Sequence, residues 1–554
     1  MGYFMGQALK KQTKPAAVEK MSTSDDSISK ILEKRKSAEL ILGFAGPVGC
    51  GIKLTIAEAK SALESIGYEV YLIKLSAFIE NSIAKREIKV DEVGYEERSI
   101  SVKRILTLQD GGNELRKAKG TSILAEFAIK EIVMLRGEQK ERDGEFSGEL
   151  MEYVPERTAY LIDQIKHPDE VSLLRTVYGQ LFHLIGVISV TEKRKARLTG
   201  DKVSTWEISD LMERDRRQEE DNGQQLDKAL QMADFFVSTD HGTAPSIQRK
   251  LKRFLGLLHG ENGITPTQQE YGMYAAYSAG LKSACLSRQV GAAISDRSGK
   301  IVSTGCNDVP KAMGGLYSSE DHTHDRRCVH REEQICFNDR EKNSHKADIE
   351  LALKKLKKGT TGEPLIEEDQ IETVLKAVFK ASHISDLIEF SRAVHAEMDA
   401  IISLARAGTP GMVGANLYTT TFPCHSCARH IVAAGIMKVY YIEPYEKSLA
   451  QKLHGDAIAF ETEDDDIEKV EYSSHPTSSM VRFIHFEGVA PRQYLNFFMM
   501  TKRKEKDIGT VIKIVPRDAP KAVSQYLDDY RTFETKVVKR LTEPNLVLKE
   551  LGSK

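Results

Sequence analysis

The chain has little of what marks a secreted, fibrous or membrane protein. Its 554 residues include only seven cysteines, Cys50, Cys285, Cys306, Cys328, Cys336, Cys424 and Cys427. An odd, sparse set excludes a disulfide framework and is expected in a reduced, cytoplasmic setting. No apolar run approaches the roughly 18 residues of a membrane helix. The opening stretch MGYFMGQALKKQ has no apolar signal core, and Gly6 stands where a myristoylation pattern wants Ser or Thr. No membrane partner is expected. Charge of one sign is also missing: 79 Lys and Arg against 81 Asp and Glu leave −2. That balance argues against a basic coat for long nucleic acids and leaves room for a local anion pocket. There is one Trp, and no internal repeat or low-complexity segment.

The length fits roughly three to four domains. Residues 1–37 are polar and read as a loose tail ending in a short helix near DDSISKILEKRK. Residues 38–258 alternate strands (39–45, 68–75, 158–165, 184–190, 233–239) with helical patterns, which predicts a parallel sheet covered on both faces. The Gly, Asn and Pro of GLLHGENGITPTQQE mark a boundary. A second α/β pattern fills 265–500, with strands near 290–295, 300–305, 415–421 and 438–444, and a charged insertion at 311–385. Residues 501–554 read as a charged helical tail.

Two short stretches carry chemistry, His395-Ala-Glu397 and Pro423-Cys424-His-Ser-Cys427. His395 opens a predicted helix, and Cys424 and Cys427 sit at a strand-to-helix corner. Cys-x-x-Cys at a helix start puts both sulfurs on one side, where the helix dipole favours thiolates. A catalytic zinc wants three protein ligands and one open position. His395, Cys424 and Cys427 are the candidate ligands, and Glu397 is the candidate general acid/base. The structural alternative is a four-ligand zinc completed by His425 or His430, or a pair of core cysteines.

With these residues the sequence resembles the cytidine and deoxycytidylate deaminase superfamily, in which H-x-E…P-C-x-x-C is the metal and proton-transfer signature. SACLSRQVGAAISDRSGKIVSTGCNDVP (283–310) resembles its opening strands. The resemblance implies an α/β/α domain and attack of water at C4 of cytosine. It also implies that Asn307 contacts the substrate sugar and that Arg288 is a basic substrate-binding position. Without it, Asn307 is a turn residue and Arg288 a surface charge.

In the front half, Gly46-Pro-Val-Gly49-Cys-Gly51-Ile-Lys53 follows a strand and precedes a helix, the setting of a phosphate-cradling loop. Against the pattern G-x-x-x-x-G-K-[ST], Ile52 takes the Lys position and Lys53 comes one place late. Nucleotide binding through Gly46, Gly49, Gly51 and Lys53 is expected, and phosphoryl transfer is not. TEKRKARL (191–198) and MERDRRQEED (212–221) resemble the lid of nucleoside monophosphate kinases. The predicted fold is therefore α/β: an N-terminal P-loop kinase-like parallel-sheet domain followed by a cytidine deaminase-like domain.

That fusion resembles the bacterial anti-phage dCTP deaminases, over most of residues 38–500. The resemblance implies conversion of dCTP, and of dCMP, to the uridine form, depriving phage of dCTP. It further implies a regulatory front domain that senses nucleotide or a small inhibitory RNA, and a homo-oligomer. Other readings are a cytosine deaminase acting on single strands, which the single Trp and neutral charge disfavour, and a nucleotide- or RNA-sensing regulatory protein. In the insertion, His322, His324, Cys328, His330 and Cys336 raise a second, structural zinc, though their spacing fits no standard pair of knuckles. The plainer reading is a polar insertion at the pocket mouth, with Arg326, Arg327 and Arg331 available for substrate phosphates.

Overall fold

The computed structural model describes residues 37–143, 155–461 and 480–517, together with 534, 535, 538, 541 and 542. Within those ranges it leaves out 92–93, 96, 156, 201–202, 217–222, 241–242, 360–361, 363, 383–388, 444–447, 500–502 and 506–509. The predicted N-terminal helix at 25–36 and most of the charged tail lie outside the described residues.

The protein is mixed α/β, built on two six-stranded sheets rich in parallel pairs. The first holds β1 (Leu40–Ala45), β2 (Glu69–Lys74), β3 (Thr158–Asp163), β4 (Phe182–Ile188) and β5 (Phe235–Ser238). These five are parallel in the order β5-β4-β1-β3-β2. β1 and β4 are buried at every position, as continuous apolar runs covered on both faces should be. The order reverses at β1, so the crevice for a ligand opens beyond its C-terminal end, at Gly46–Gly51.

The second sheet holds β6 (Gly291–Ser295), β7 (Ile301–Cys306), β8 (Asn416–Thr421), β9 (Lys438–Glu443), β10 (Ile458–Glu461) and β11 (Val481–His485). Its order is β10-β11-β9-β8-β6-β7. Strands β8 to β11 are parallel, and β6 pairs antiparallel with both β7 and β8. The helix Ala396–Ala407 presses so closely on β7 that a Cβ on Gly305 would lie 2.3 Å from the Ala396 carbonyl oxygen. That close approach brings the start of the helix down to the sheet.

The two halves interlock. After β11 the chain leaves the second sheet, and β12 (Gly488–Val489) adds antiparallel to β5 in the first. Buried carboxylates fix this crossing. Asp234, fully buried, accepts hydrogen bonds from the Leu184 N–H (2.7 Å), Arg175 (2.9 Å), Arg492 (2.8 Å) and Gln493 (2.8 Å). Its carbonyl accepts from the Ala490 N–H at 2.9 Å. Glu270, 1% exposed, takes Arg253 from the front half and the Val489 N–H at 2.8 Å. Glu487 accepts from the Ser238 N–H and from Lys250. Described parts of the tail also return to the front half: Arg136, 2% exposed, bridges Glu39 and Glu534, and Arg157 donates to the Pro516 carbonyl.

Removing a buried charge leaves its partners stranded, at a cost of about 3–5 kcal/mol. Asp234→Asn is expected to lower stability by that order, read from urea midpoints at pH 7. Burial pushes the Asp234 pKa up, but Arg492, Arg175 and His183 outweigh it and hold it below the ordinary carboxylate value. Its stabilisation is thus complete above the unfolded-state pKa of about 4 and is lost as pH falls through the lower folded value. The gap between wild type and variant should narrow only in that acid range. A gap that closed between pH 7 and pH 5 would contradict the assignment.

Candidate active site

Two helix starts meet at the end of β8. His395 is the N-cap residue of Ala396–Ala407, and Cys424 that of His425–Ala433. Cys427 lies one turn in, and its N–H donates to the Cys424 sulfur at 3.4 Å. His395 Nδ1 lies 3.3 Å from each sulfur. Among the described residues this is the one group of three or more such side chains whose donor atoms could hold a metal, all lying within 4.8 Å of one another. One imidazole and two thiols are a donor set that suits zinc.

The electrostatics suit a cation. Cys424 is pulled down to about 4, chiefly by the hydrogen bond from the Cys427 thiol and then by His395. Cys427 is pushed up by the same pairing and by burial. A bound cation would favour the thiolate form of both. Glu397, 4% exposed, stands beside the cluster with Oε2 3.4 Å from the Cys427 sulfur. Burial raises its pKa, which suits a carboxyl that must both take and give a proton.

The cluster sits in a pocket of about 350 Å³. Asn307 and Arg288 both line it. The Asn307 amide is engaged on both ends: Nδ2 donates to the Arg288 carbonyl at 2.9 Å, and Oδ1 accepts from the Val290 N–H at 2.7 Å. It therefore shapes the 288–290 wall. Arg288 stands half exposed at the rim, 3.8 Å from Glu443.

Phe422, Thr421 and the insertion helix Phe337–Lys355, through Asn338, Asp339 and Lys342, also wall the pocket. The sequence reading missed them. Phe422 sits next to Pro423 and was available by adjacency. The helix residues carry no such signal, because a charged helical segment reads as a solvated face. The start of that helix is held by Phe337, with Arg340, Arg331 and Arg392 each within 5.2 Å of its ring.

The expectation for the insertion arginines needs correction at Arg327. It is 4% exposed, with its guanidinium forked onto Asp325 and close to Asp308, so it is not available for phosphates. Arg326 and Arg331 are exposed but do not line the pocket. His322, His324, Cys328, His330 and Cys336 are not gathered into a three-donor group among the described residues.

The glycine loop lies far along the chain from this pocket. Gly49 (φ 79°) and Gly51 (φ 81°) adopt left-handed backbone that other residues resist, and Gly51 caps the helix Ile52–Ser65. One of its N–H groups is met by a carboxylate of the same chain. The Val48 N–H donates to the buried Asp215 carboxylate at 2.6 Å, and Lys166 bridges Asp215 and the Gly46 carbonyl. Arg194 and Arg197, from the lid-like stretch, bind the Val48 and Gly49 carbonyls. Lys53 is exposed.

Comparison with known proteins adds the family. Residues 266–443 match the cytidine and deoxycytidylate deaminase zinc-binding region. The chain is 45% identical to ComE operon protein 2 of Bacillus subtilis (strain 168) over 56 residues, spanning 10% of this chain and only 29% of that protein. It is 31% identical to the deoxycytidylate deaminase of Enterobacteria phage T4 over 179 residues, covering 31% of this chain and 76% of that enzyme. A solved dCMP deaminase from cyanophage S-TIM5 aligns with 40% of this chain and 99% of its own, at 15% identity and a TM-score of 0.20. By its match to most of the phage enzyme, with His395, Glu397, Cys424 and Cys427 inside the matched region, the chain belongs to the cytidine and deoxycytidylate deaminase family.

Proposed function

We propose that this protein hydrolytically deaminates free deoxycytidine nucleotides, dCMP and dCTP, to the deoxyuridine forms. One observation carries the reading: a buried glutamate beside a His/Cys/Cys cluster at the base of a nucleotide-sized pocket. His395, Cys424 and Cys427 would hold zinc, which supplies Lewis acidity and brings the pKa of a water to near 7. Glu397 takes one proton of the attacking water and delivers it to the ring nitrogen, then takes the second from the new C4 hydroxyl and delivers it to the departing amine. The new C4–O bond forms, the C4–N bond breaks, and ammonia leaves with its electron pair. Burial raises the Glu397 pKa, which favours a carboxyl that must both accept and release a proton.

Arg288 and Lys342 both line the pocket, and they are the basic residues we assign to substrate phosphates. Three residues of the insertion helix line the pocket beside the cluster, which supports a mononucleotide over a strand. In the front half, an anion-facing loop already satisfied by Asp215 fits a regulatory nucleotide site better than a kinase. On resemblance to anti-phage dCTP deaminases, the role we assign is depletion of dCTP in the cytoplasm during phage infection.

Three measurements test this. Ammonia release is compared for dCMP, dCTP, CTP and a cytosine-containing single strand; turnover of the strand alone would overturn the reading. Glu397→Ala is expected to keep its metal yet lose roughly 10²–10⁴-fold in kcat. Cys424→Ala should fall from one zinc per chain to almost none by metal analysis. In the front half, Asp215→Asn should strengthen binding of inorganic phosphate or ATP by about tenfold, since it removes a competing charge. Equal or weaker binding by calorimetry would count against the loop as an anion site.

A further inference from the structure

A cavity of about 650 Å³ lies between the two halves and is unused by the chemistry above. Its floor is aromatic. Phe422, Tyr441, Phe460 and His485 from the second sheet join Phe236 of β5. Their rings touch in series: Phe422 on Phe460 (5.9 Å, 14°), Phe422 on Tyr441 (4.9 Å, 90°), Tyr441 on His485 (5.1 Å) and His485 on Phe236 (5.9 Å). The opposite wall comes from the front half and is charged, with Arg194, Lys195, Glu192 and Asp227, and it reaches Pro47 of the glycine loop.

Cavities of ~300–1,000 Å³ with an aromatic floor and a few polar groups are the usual form of a small-ligand site. This one is nearly twice the volume of the pocket at the His/Cys/Cys cluster, so it accommodates a two-ring base. Carboxylates on the wall can accept from an exocyclic amino group. Arg194 and Lys195 can meet a phosphate.

We infer that this cavity binds an amino-bearing purine nucleotide and that its occupancy is felt at the deaminase pocket. Two contacts make the link. Phe422 walls both cavities, so a base that shifts its ring shifts a wall of the deaminase pocket. Ser448, also in the cavity wall, donates to the Pro423 carbonyl at 2.8 Å, one residue before Cys424. A ligand that shifts either group moves the corner that carries the metal-ligating sulfur. A ligand alters turnover only through such a difference in binding between two arrangements.

The test uses the full-length, zinc-loaded protein with AMP as the probe, and adenosine and inorganic phosphate as separate arms. Calorimetry should give one AMP per chain, with adenosine and phosphate each about tenfold weaker or more, as expected when either half of the ligand is missing. Gln451→Trp fills the cavity from an exposed helix of the second half, and Ser209→Trp from an exposed helix of the first. Zinc content and melting midpoint check that each folds. Both should weaken AMP by about tenfold or more. Saturating AMP should change KM or kcat for dCMP, and Ser448→Ala should bind AMP but respond less.

Absence of AMP binding, or binding untouched by both Trp variants, would overturn the site. AMP binding with no effect on turnover would overturn the coupling. The coupling arm rests on the deaminase reading, and the binding arm does not: failure to deaminate with AMP still bound would count against that reading alone.

Discussion

A carboxylate with no access to water must be matched group for group, and Asp234 is the place where this requirement organises the molecule. Its side chain is fully buried and is met by Arg175 and the Leu184 N–H from the front half, and by Arg492 and Gln493 from beyond the second sheet. Neither half completes the set alone. The crossing segment is therefore bound to the front half at several places at once, through Asp234 and Glu487 directly and through Glu270, which joins the Val489 N–H to Arg253. Burying such pairs contributes little net stability compared with apolar packing, but it penalises any other arrangement heavily. The carboxylates thus act mainly to fix where the second sheet stands against the first.

That fixed relation matters because the deaminase corner faces the junction. Phe422 and Pro423 end β8 on the side where β4 and the lid-like stretch approach. On the other side of the corner, the close packing allowed by Gly305 sets the helix that carries His395 and Glu397. The candidate metal ligands are held by two helix starts and one strand end, all backbone features with little freedom. Side chains that must converge within a few tenths of an ångström are best mounted on such elements.

Much of this was legible in the sequence, and the reason is local chemistry. Strands β1 and β4 of the front half are continuous apolar runs and are buried throughout. His395, Glu397, Cys424 and Cys427 were found because ligand type and spacing are themselves the constraint. What stayed hidden depends on distant pairing. β12 is two residues long and forms by backbone bonds, which leave no side-chain pattern. Asp234 and Arg492 are 258 positions apart. Arg327 reads as one of several arginines in a polar run, yet its fork onto Asp325 buries it. The insertion helix reached the pocket despite a composition that suits solvent. Nothing in a charged helical repeat says which of its faces will meet a wall.

The glycine loop illustrates the same limit from the other direction. Its spacing pointed to an anion, and the structure places a carboxylate of the same chain against the Val48 N–H. Lys166 neutralises that carboxylate, while Arg194 and Arg197 hold the carbonyl side of the loop. An external phosphate would have to displace a buried, paired charge before meeting those donors. Ligand affinity is then reduced by the stability of the closed arrangement, whatever the quality of the open one. Were a phosphate to bind there, its affinity would be set by Asp215 and Lys166 as well as by the loop. Arg194 also lines the cavity between the halves. Movement of the lid-like helix would therefore change the loop and the aromatic cavity together, and Phe422 would carry the change to the edge of the deaminase pocket.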